Sequence, residues 1–226
     1  MVRPASSQPA RFAVIWDMDG VLIDSGAAHY DSWHALATEY GASITPEQFR
    51  QTFGMRNEEV IAHLFGDLPL GKSAEMVLRK EANFREEVRA GRVPTQPGAR
   101  ELLSALLSAG IPQAVATSAP PINAQTVLEA LTLGAFFQAV VTGADVRMGK
   151  PDPEIFVRAA ERLGRAAAEC VVLEDAVVGV AAAKAAGARS VALVGSNSAA
   201  QLTGADLVIY SLSELSPARL AALFER

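Results

Sequence analysis

The chain has a single cysteine, Cys170, in 226 residues, so it has no partner for an intrachain disulfide and too few thiols for a cysteine-based zinc site. Such a chain is expected to fold on its apolar core alone and to work in a reducing compartment, read here as the cytoplasm. Long apolar runs are missing too. Phe12 to Trp16 meets Asp17, and the stretch from Cys170 to Gly195 is broken by Glu174, Asp175, Lys184 and Arg189. Neither suits a signal-peptide core or a membrane span, so no membrane partner is expected. There is no basic stripe either. With a net charge of −5 and a pI near 5.3 the chain does not look like a nucleic-acid binder, because phosphate neutralisation needs clustered Lys and Arg. A small anion is still a fitting ligand, since one positive pocket can sit in an acidic protein. Lysine is scarce, four of the 20 basic residues, which draws some attention to Lys150.

Half of the residues, 50%, are hydrophobic, and a chain of 23.8 kDa should bury roughly 70% of its unfolded surface. Residues 1–11 have the polar, proline-bearing composition of a frayed arm. From residue 98 onward, helix-like periods close on Gly110, Gly134, Gly164 and Gly187, and apolar runs follow each of them. Glycine just past a helix end is a left-handed cap, and short continuous apolar runs fit strands buried on both faces. The alternation predicts an α/β fold with a Rossmann-like parallel sheet core, to which Phe12–Trp16 also belongs. About eighty residues separate that first strand from the next unit, too many for a loop. Residues 27–40, Glu58–Phe65 and Ser73–Ala90 have helical patterning. The expected layout is therefore a core of residues 12–25 and 95–226 with an all-helical insertion, 26–94, between two flexible seams.

Polar residues stand where the strands end: Asp17 and Asp19 after the first, Thr117-Ser118 after the run that follows Gly110, and Glu174-Asp175 after the run that follows Gly164. The carboxyl ends of parallel strands share one edge, where open α/β sheets bind ligands. Lys150, in Gly149-Lys150-Pro151-Asp152-Pro153, can reach the same edge. Each acid could instead cap the helix after its strand, as Asp152 before Pro153 is expected to do. Four converging carboxylates nevertheless call for a cation, and oxygen ligands suit Mg²⁺. A metal, a carboxylate, a hydroxyl and a lysine are equipment for phosphoryl transfer, which depends on positioning and charge neutralisation.

Asp17-Met18-Asp19-Gly20-Val21-Leu22-Ile23-Asp24-Ser25, Thr117, Gly149 to Phe156, and Leu173-Glu174-Asp175 through Gly179 to Gly187 resemble, in order, the four motifs of the haloacid dehalogenase-like superfamily. The resemblance implies that Asp17 is a nucleophile forming an aspartyl-phosphate and Asp19 the general acid/base. It makes Thr117 and Lys150 the phosphate-orienting pair, with Lys150 also salt-bridged to the nucleophile. Glu174 and Asp175 become the acidic pair that binds Mg²⁺ with the Asp17 carboxylate and the Asp19 backbone carbonyl. Residues 26–94 become a helical cap of the phosphoglucomutase-like kind, and Ala176 stands where many members have serine. A carboxylate at position 19 favours phosphate-ester chemistry over dehalogenation. A signalling receiver, the non-enzymatic alternative, orders such residues differently and has no cap.

The substrate is expected to be a small phosphorylated metabolite, met in the cap and at Ser118. His29 and Trp33 resemble residues of β-phosphoglucomutase, and Lys80 aligns with a cap lysine of that enzyme. Met76, Lys80, Phe84 and Val88 share one i, i+4 stripe, so Lys80 interrupts an apolar face. Plain packing for His29 and Trp33 and a snorkelling stem for Lys80 are the alternatives. Arg56 stands one position before the mutase's cap arginine, and Ser118-Ala119-Pro120-Pro121 carries no cation for a second phosphate. Hydrolysis of a sugar or polyol phosphate by a monomer is therefore the first expectation, and a hexose phosphate mutase the second.

Overall fold

The computed structural model of the chain describes residues 11–52, 57–66, 68–69 and 71–225. Six parallel strands form one sheet among them: β1 (Ala13–Trp16), β2 (Gln113–Ala116), β3 (Ala139–Val141), β4 (Cys170–Glu174), β5 (Arg189–Leu193) and β6 (Leu207–Ile209), in the order β3-β2-β1-β4-β5-β6. The central strand, β1, has all four residues inaccessible to solvent, as its unbroken apolar composition requires. Its neighbours pair in register, Trp16 with Val115 on one side and with Leu173 on the other. The next residue of each strand therefore falls on one edge, and the Asp17 amide donates to the Leu173 carbonyl at 2.9 Å. The chain leaves β1 toward β2 and later returns to β1's other flank as β4. Strand order reverses there, which opens a crevice.

Side chains alternate between the two faces of the sheet. Val14, Trp16, Val115, Val171 and Leu173 pack beneath α5 (Ala99–Ser108), with Leu102, Leu103 and Leu106. Ala13, Ile15, Ala114, Ala116 and Val172 meet Ile155 and Phe156 of α7 (Glu154–Arg162) and Ala182 and Ala183 of α8 (Val177–Ala185). The small residues on this second face allow α7 and α8 to lie close to the sheet. Two further helices of the layer are α6 (Pro121–Ala130) and α9 (Pro217–Ala221).

The interval between β1 and β2 is helical, as its periodicity predicts: α1 (Gly26–Glu39), α2 (Pro46–Gln51), α3 (Asn57–Phe65) and α4 (Lys72–Arg89) precede α5. Trp33, Leu36, Ile44, Phe49, Val60, Ile61 and Met76 form a core separate from the two sheet faces. The ends of the interval run side by side. Asp24 N donates to Pro94 O at 2.9 Å, Gln96 N to Leu22 O at 3.1 Å, and Ile23 bridges Thr95 antiparallel.

Three local outcomes differ from the sequence pattern. Helix α2 is extra; its start is a capping box in which Thr45 and Gln48 satisfy each other's amides, with Pro46 in the first turn. Residues Gly134–Phe136 form a 3₁₀ turn, so β3 begins only at Ala139. Strand β6 adds a half-covered edge that three residues could not announce as a strand. Asp152 accepts from the Glu154 amide at 2.9 Å, but the N-cap of α7 is Pro153, one residue later.

Candidate active site

Asp17, at the end of β1, is 7% exposed and accepts from Lys150 Nζ at 2.6 Å. The same ammonium donates to Glu174 Oε1 at 2.5 Å, so one lysine joins acids from β1 and β4. Lys150 lies in the segment leading into α7, which packs on both β1 and β2. The turn after Asp17 is tight: Leu22 N and Ile23 N both donate to Met18 O, and Gly20 N donates to Ile23 O. Gly20 has φ +80, and a Cβ there would lie 2.3 Å from Asp175 Oδ2. Glycine is needed on both counts, for the left-handed backbone and for the close approach of Asp175.

Both oxygens of Glu174 are occupied. Oε1 faces Lys150, and Oε2 accepts from the amides of Asp175 and Ala176 at 2.8 and 2.9 Å. Asp175 Oδ2 accepts from Ser196 Oγ at 2.5 Å, and Asn197 Nδ2 donates to the Asp175 carbonyl at 3.1 Å. Sequence reasoning missed Ser196 and Asn197. They lie three and four residues past the end of β5, at the same sheet edge, and that placement was the available signal.

Burial is the largest influence on Asp17 and raises its pKa well above the usual carboxylate range, with Glu174 and Asp175 adding to the rise and Lys150 opposing it. Burial and the Glu174 charge also push Asp175 up to about 7, against Ser196 and Lys150. Lys150 is moved the other way from what burial favours, because Asp17 and Glu174 raise it above the ordinary lysine value. Three carboxylates facing one ammonium cannot all be ionised without a further cation, and burial and mutual repulsion favour the protonated forms of Asp17 and Asp175.

Asp17, Glu174 and Asp175 are the described acidic group that can hold a metal, with one oxygen of each within 4.8 Å of the others. Lys150 takes Oδ1 of Asp17 and Ser196 takes Oδ2 of Asp175, and the second oxygen of each carboxylate has no donor among the described residues. The Asp19 carbonyl is likewise outside the backbone bonds of its turn, which use the Met18 and Ile23 carbonyls. Hard oxygens with excess charge fit Mg²⁺. In this arrangement Glu174 anchors Lys150 and the start of α8, and Asp17 and Asp175 are the freer donors.

Asp19 finds a partner for its carboxylate outside this cluster. Its side chain is 30% exposed, and Oδ1 lies 3.1 Å from His29 Nε2 on α1. Lys80 Nζ on α4 lies 3.1 Å from His29 Nδ1. An ammonium only donates, so Nδ1 must accept and Nε2 must carry the proton that is given to Asp19. Burial works to raise Asp19, but His29, Ser25 and Lys80 together outweigh it and hold the carboxyl below its ordinary value.

Thr117 follows β2 directly and is 1% exposed, with its Oγ1 accepting from Ala119 N at 3.0 Å. Ser118, next to it, is exposed. The amides of Met18, Asp19 and Ser118 have no acceptor among the described residues and can serve an anion. Trp33 is 3% exposed within the helical core, and its ring lies 5.5 Å from Lys80 Nζ. Met76, Lys80, Phe84 and Val88 are all buried, as the stripe predicted, and the Lys80 ammonium is held by His29 and Glu81 within the fold. Arg56 lies outside the described residues.

The sequence model of haloacid dehalogenase-like hydrolases matches residues 13–187. A phosphorylated carbohydrates phosphatase from Thermotoga maritima is 36% identical over 175 residues, 77% of this chain and 81% of its own. A beta-phosphoglucomutase from Bacillus subtilis is 30% identical over 212 residues, 90% of this chain and 91% of its own. A solved HAD hydrolase of family IA, variant 3, from Entamoeba histolytica superposes with a TM-score of 0.87 at 25% identity, over 95% of this chain and 100% of that one.

Proposed function

The chain belongs to the haloacid dehalogenase-like hydrolase family, and from that premise we propose that it is a Mg²⁺-dependent phosphatase hydrolysing a small sugar or polyol phosphate through an aspartyl-phosphate. The observation that carries this reading is the division of labour between two carboxylates only two residues apart. Lys150 pins Asp17 beside Asp175, whereas Asp19 is directed to His29. The first is placed to attack and the second to move protons.

Asp17, Asp175 and the Asp19 carbonyl would hold Mg²⁺. The ion would neutralise the acids and the phosphate oxygens, while the Thr117 hydroxyl, the Met18, Asp19 and Ser118 amides and Lys150 orient the phosphoryl group. An Asp17 oxygen attacks phosphorus, the ester bond breaks, and Asp19 gives its proton to the leaving oxygen. Asp19 then takes a proton from water, whose oxygen attacks phosphorus and frees Asp17 and inorganic phosphate. The His29 proton favours ionised Asp19, the base of the second step. A phosphate dianion entering beside Asp19 raises its proton affinity for the first.

Residues 26–94 act in this reading as a cap that brings His29 and Lys80 to Asp19 and supplies the surface met by the substrate's remote part. The mutase remains the second reading because the Lys80–His29–Asp19 chain and the relationship to a beta-phosphoglucomutase both support it. The neutral Ser118-Ala119-Pro120-Pro121 loop favours hydrolysis, since a bisphosphate intermediate needs a second anion site. Purified enzyme with Mg²⁺ is expected to release phosphate from small sugar phosphates. It is expected not to convert β-glucose 1-phosphate to glucose 6-phosphate, when primed with β-glucose 1,6-bisphosphate, faster than it releases phosphate. Isomerisation at about ten times the hydrolytic rate or more would establish the mutase instead. A monomer in the cytoplasm completes the proposal. Its buried Cys170, whose thiol burial pushes up to about 11, serves packing rather than chemistry. No described helix is long and apolar enough to cross a membrane.

A further inference from the structure

One residue past Lys80, α4 buries a second charge that the mechanism does not use. Glu81 is 5% exposed, and three side chains donate to it: Lys80 Nζ at 3.0 Å and Asn57 Nδ2 at 2.8 Å to Oε1, and Asn123 Nδ2 to Oε2. Asn123, 1% exposed, sits in the first turn of α6, on the segment that continues from Thr117. The other end of its amide, Oδ1, accepts from Arg85 Nη1 at 2.8 Å. Glu81 and Arg85 are i and i+4 on α4, so one helix face grips both ends of a single amide on the other. Burial works against the Glu81 charge, but Lys80 and the two asparagines hold its carboxyl below the ordinary value.

A buried carboxylate is tolerated only while its donors stay in place, and hydrogen bonds fail within an ångström of displacement. Lifting α4 from α6 would strand Glu81, release Asn123 and carry Lys80 and His29 away from Asp19. Asp17, Lys150 and Thr117 sit on the sheet and would not move with α4. The geometry points to the Glu81–Asn123–Arg85 clasp as the positioning device that seats the helical unit over the phosphate-holding edge and so sets when Asp19 is oriented to move a proton; this rests on the acid/base reading of Asp19. Glu81, Arg85 and Asn123 are positioning residues, since they act through Lys80 and His29.

The donor pattern supplies its own test. Asn123→Asp sets a carboxylate against Glu81 at nearly constant volume and should open the clasp. Adding Glu81→Gln reverses the polarity: the new amide donates to the carboxylate introduced at position 123, which still accepts from Arg85, and the clasp should re-form. Amide hydrogen exchange of the full chain should quicken in α4 and at residues 23–25 and 94–96 for Asn123→Asp, and return toward wild type in the double variant. The kcat for an alkyl phosphate should fall by about tenfold or more in Asn123→Asp, and that for p-nitrophenyl phosphate, whose leaving group needs little proton, by less than about threefold. Asn123→Ala, which removes the clasp without adding charge, should show the same selectivity to a lesser degree. Unchanged exchange in both single variants, equal losses on the two substrates, or failure of the folded double variant to recover exchange would each overturn the clasp. The exchange measurement needs no turnover. If exchange responds and is restored while the wild-type protein hydrolyses no phosphate ester, the catalytic reading falls and the clasp stands.

Discussion

Replacing Gly179 by alanine sets two effects of opposite sign against each other. The residue lies in the first turn of α8, and its φ is not in the left-handed region, so helix propensity favours Gly→Ala by about 1 kcal/mol. Packing opposes it. A Cβ on Gly179 would stand 1.8 Å from Glu174 Oε1 and 2.0 Å from its Cδ. Contact between such atoms needs roughly 3.4 Å or more, so the carboxylate would have to retreat by about 1.5 Å. Glu174 is 1% exposed and is bonded to Lys150 and to the amides of Asp175 and Ala176. Breaking a buried ion pair costs about 3–5 kcal/mol, so after the helix gain a net loss of about 2–4 kcal/mol is expected. Urea unfolding monitored by circular dichroism reads it as a lower midpoint at unchanged slope. Lys150 loses one of its two anchors, and kcat should fall by about tenfold or more, as misplacing a group by an ångström does. A variant at least as stable as wild type with unchanged kcat would refute the claim that this glycine exists to admit Glu174.

Asp17→Asn should abolish turnover with the unfolding midpoint preserved, because the amide cannot attack phosphorus and replaces a carboxylate already crowded by Glu174 and Asp175; substantial phosphate release, with deamidation excluded by mass spectrometry, would remove Asp17 as nucleophile. EDTA should stop catalysis and Mg²⁺ restore it, with Asp175→Ala raising the Mg²⁺ requirement more than Ser196→Ala does; Asp175→Ala that is fully active in trace metal would sink the metal site. Asp145 tests the fold away from the site. The Thr142 amide, then Arg162, hold its carboxyl down from 3.8 to about 2, so its contribution is present above the unfolded value and is lost as pH falls toward about 2. Asp145→Asn, which keeps an acceptor for Thr142 but loses the charge on that bond and on the one to Arg162, should therefore cost up to about 1 kcal/mol at pH 7, with the gap to wild type closing as pH falls toward about 2; a gap that widens on acidification would contradict this.

The α/β alternation, the helical interval and the acidic edge were legible because each depends on short-range pattern. Unbroken apolar runs such as Ala13–Trp16 and Cys170–Leu173 mark strands covered on both faces, and the polar residue that stops each run marks the edge where the cover ends. The stripe Met76, Lys80, Phe84, Val88 was legible for the same reason, since period alone puts those residues on one buried face. Helix α2 was equally local, and its capping box stood in Thr45-Pro46-Glu47-Gln48 unread.

Chemistry could be read in single residues, and the family resemblance implied the Lys150–Asp17 pair, but the remaining pairings could not be read. Asp17, Asp19, Thr117 and Asp175 are unusual at the ends of apolar runs whatever surrounds them, and Lys150 stands out as one of four lysines. That Lys150 joins Asp17 to Glu174, or that Ser196 holds Asp175, depends on strand order β3-β2-β1-β4-β5-β6, which only packing of the sheet decides. Glu81 and Asn123 are the clearest case. On a sequence an acid in a helix and an asparagine in another read as solvated surface, and nothing local distinguishes them from Glu86 or Gln125. Their burial and mutual hydrogen bond follow from α4 lying against α6, a contact between segments 42 residues apart. Local propensity carries no information across that separation, because apolar surface on the neighbouring turns brings the two helices together, and only then can the polar pair meet and fix the seat.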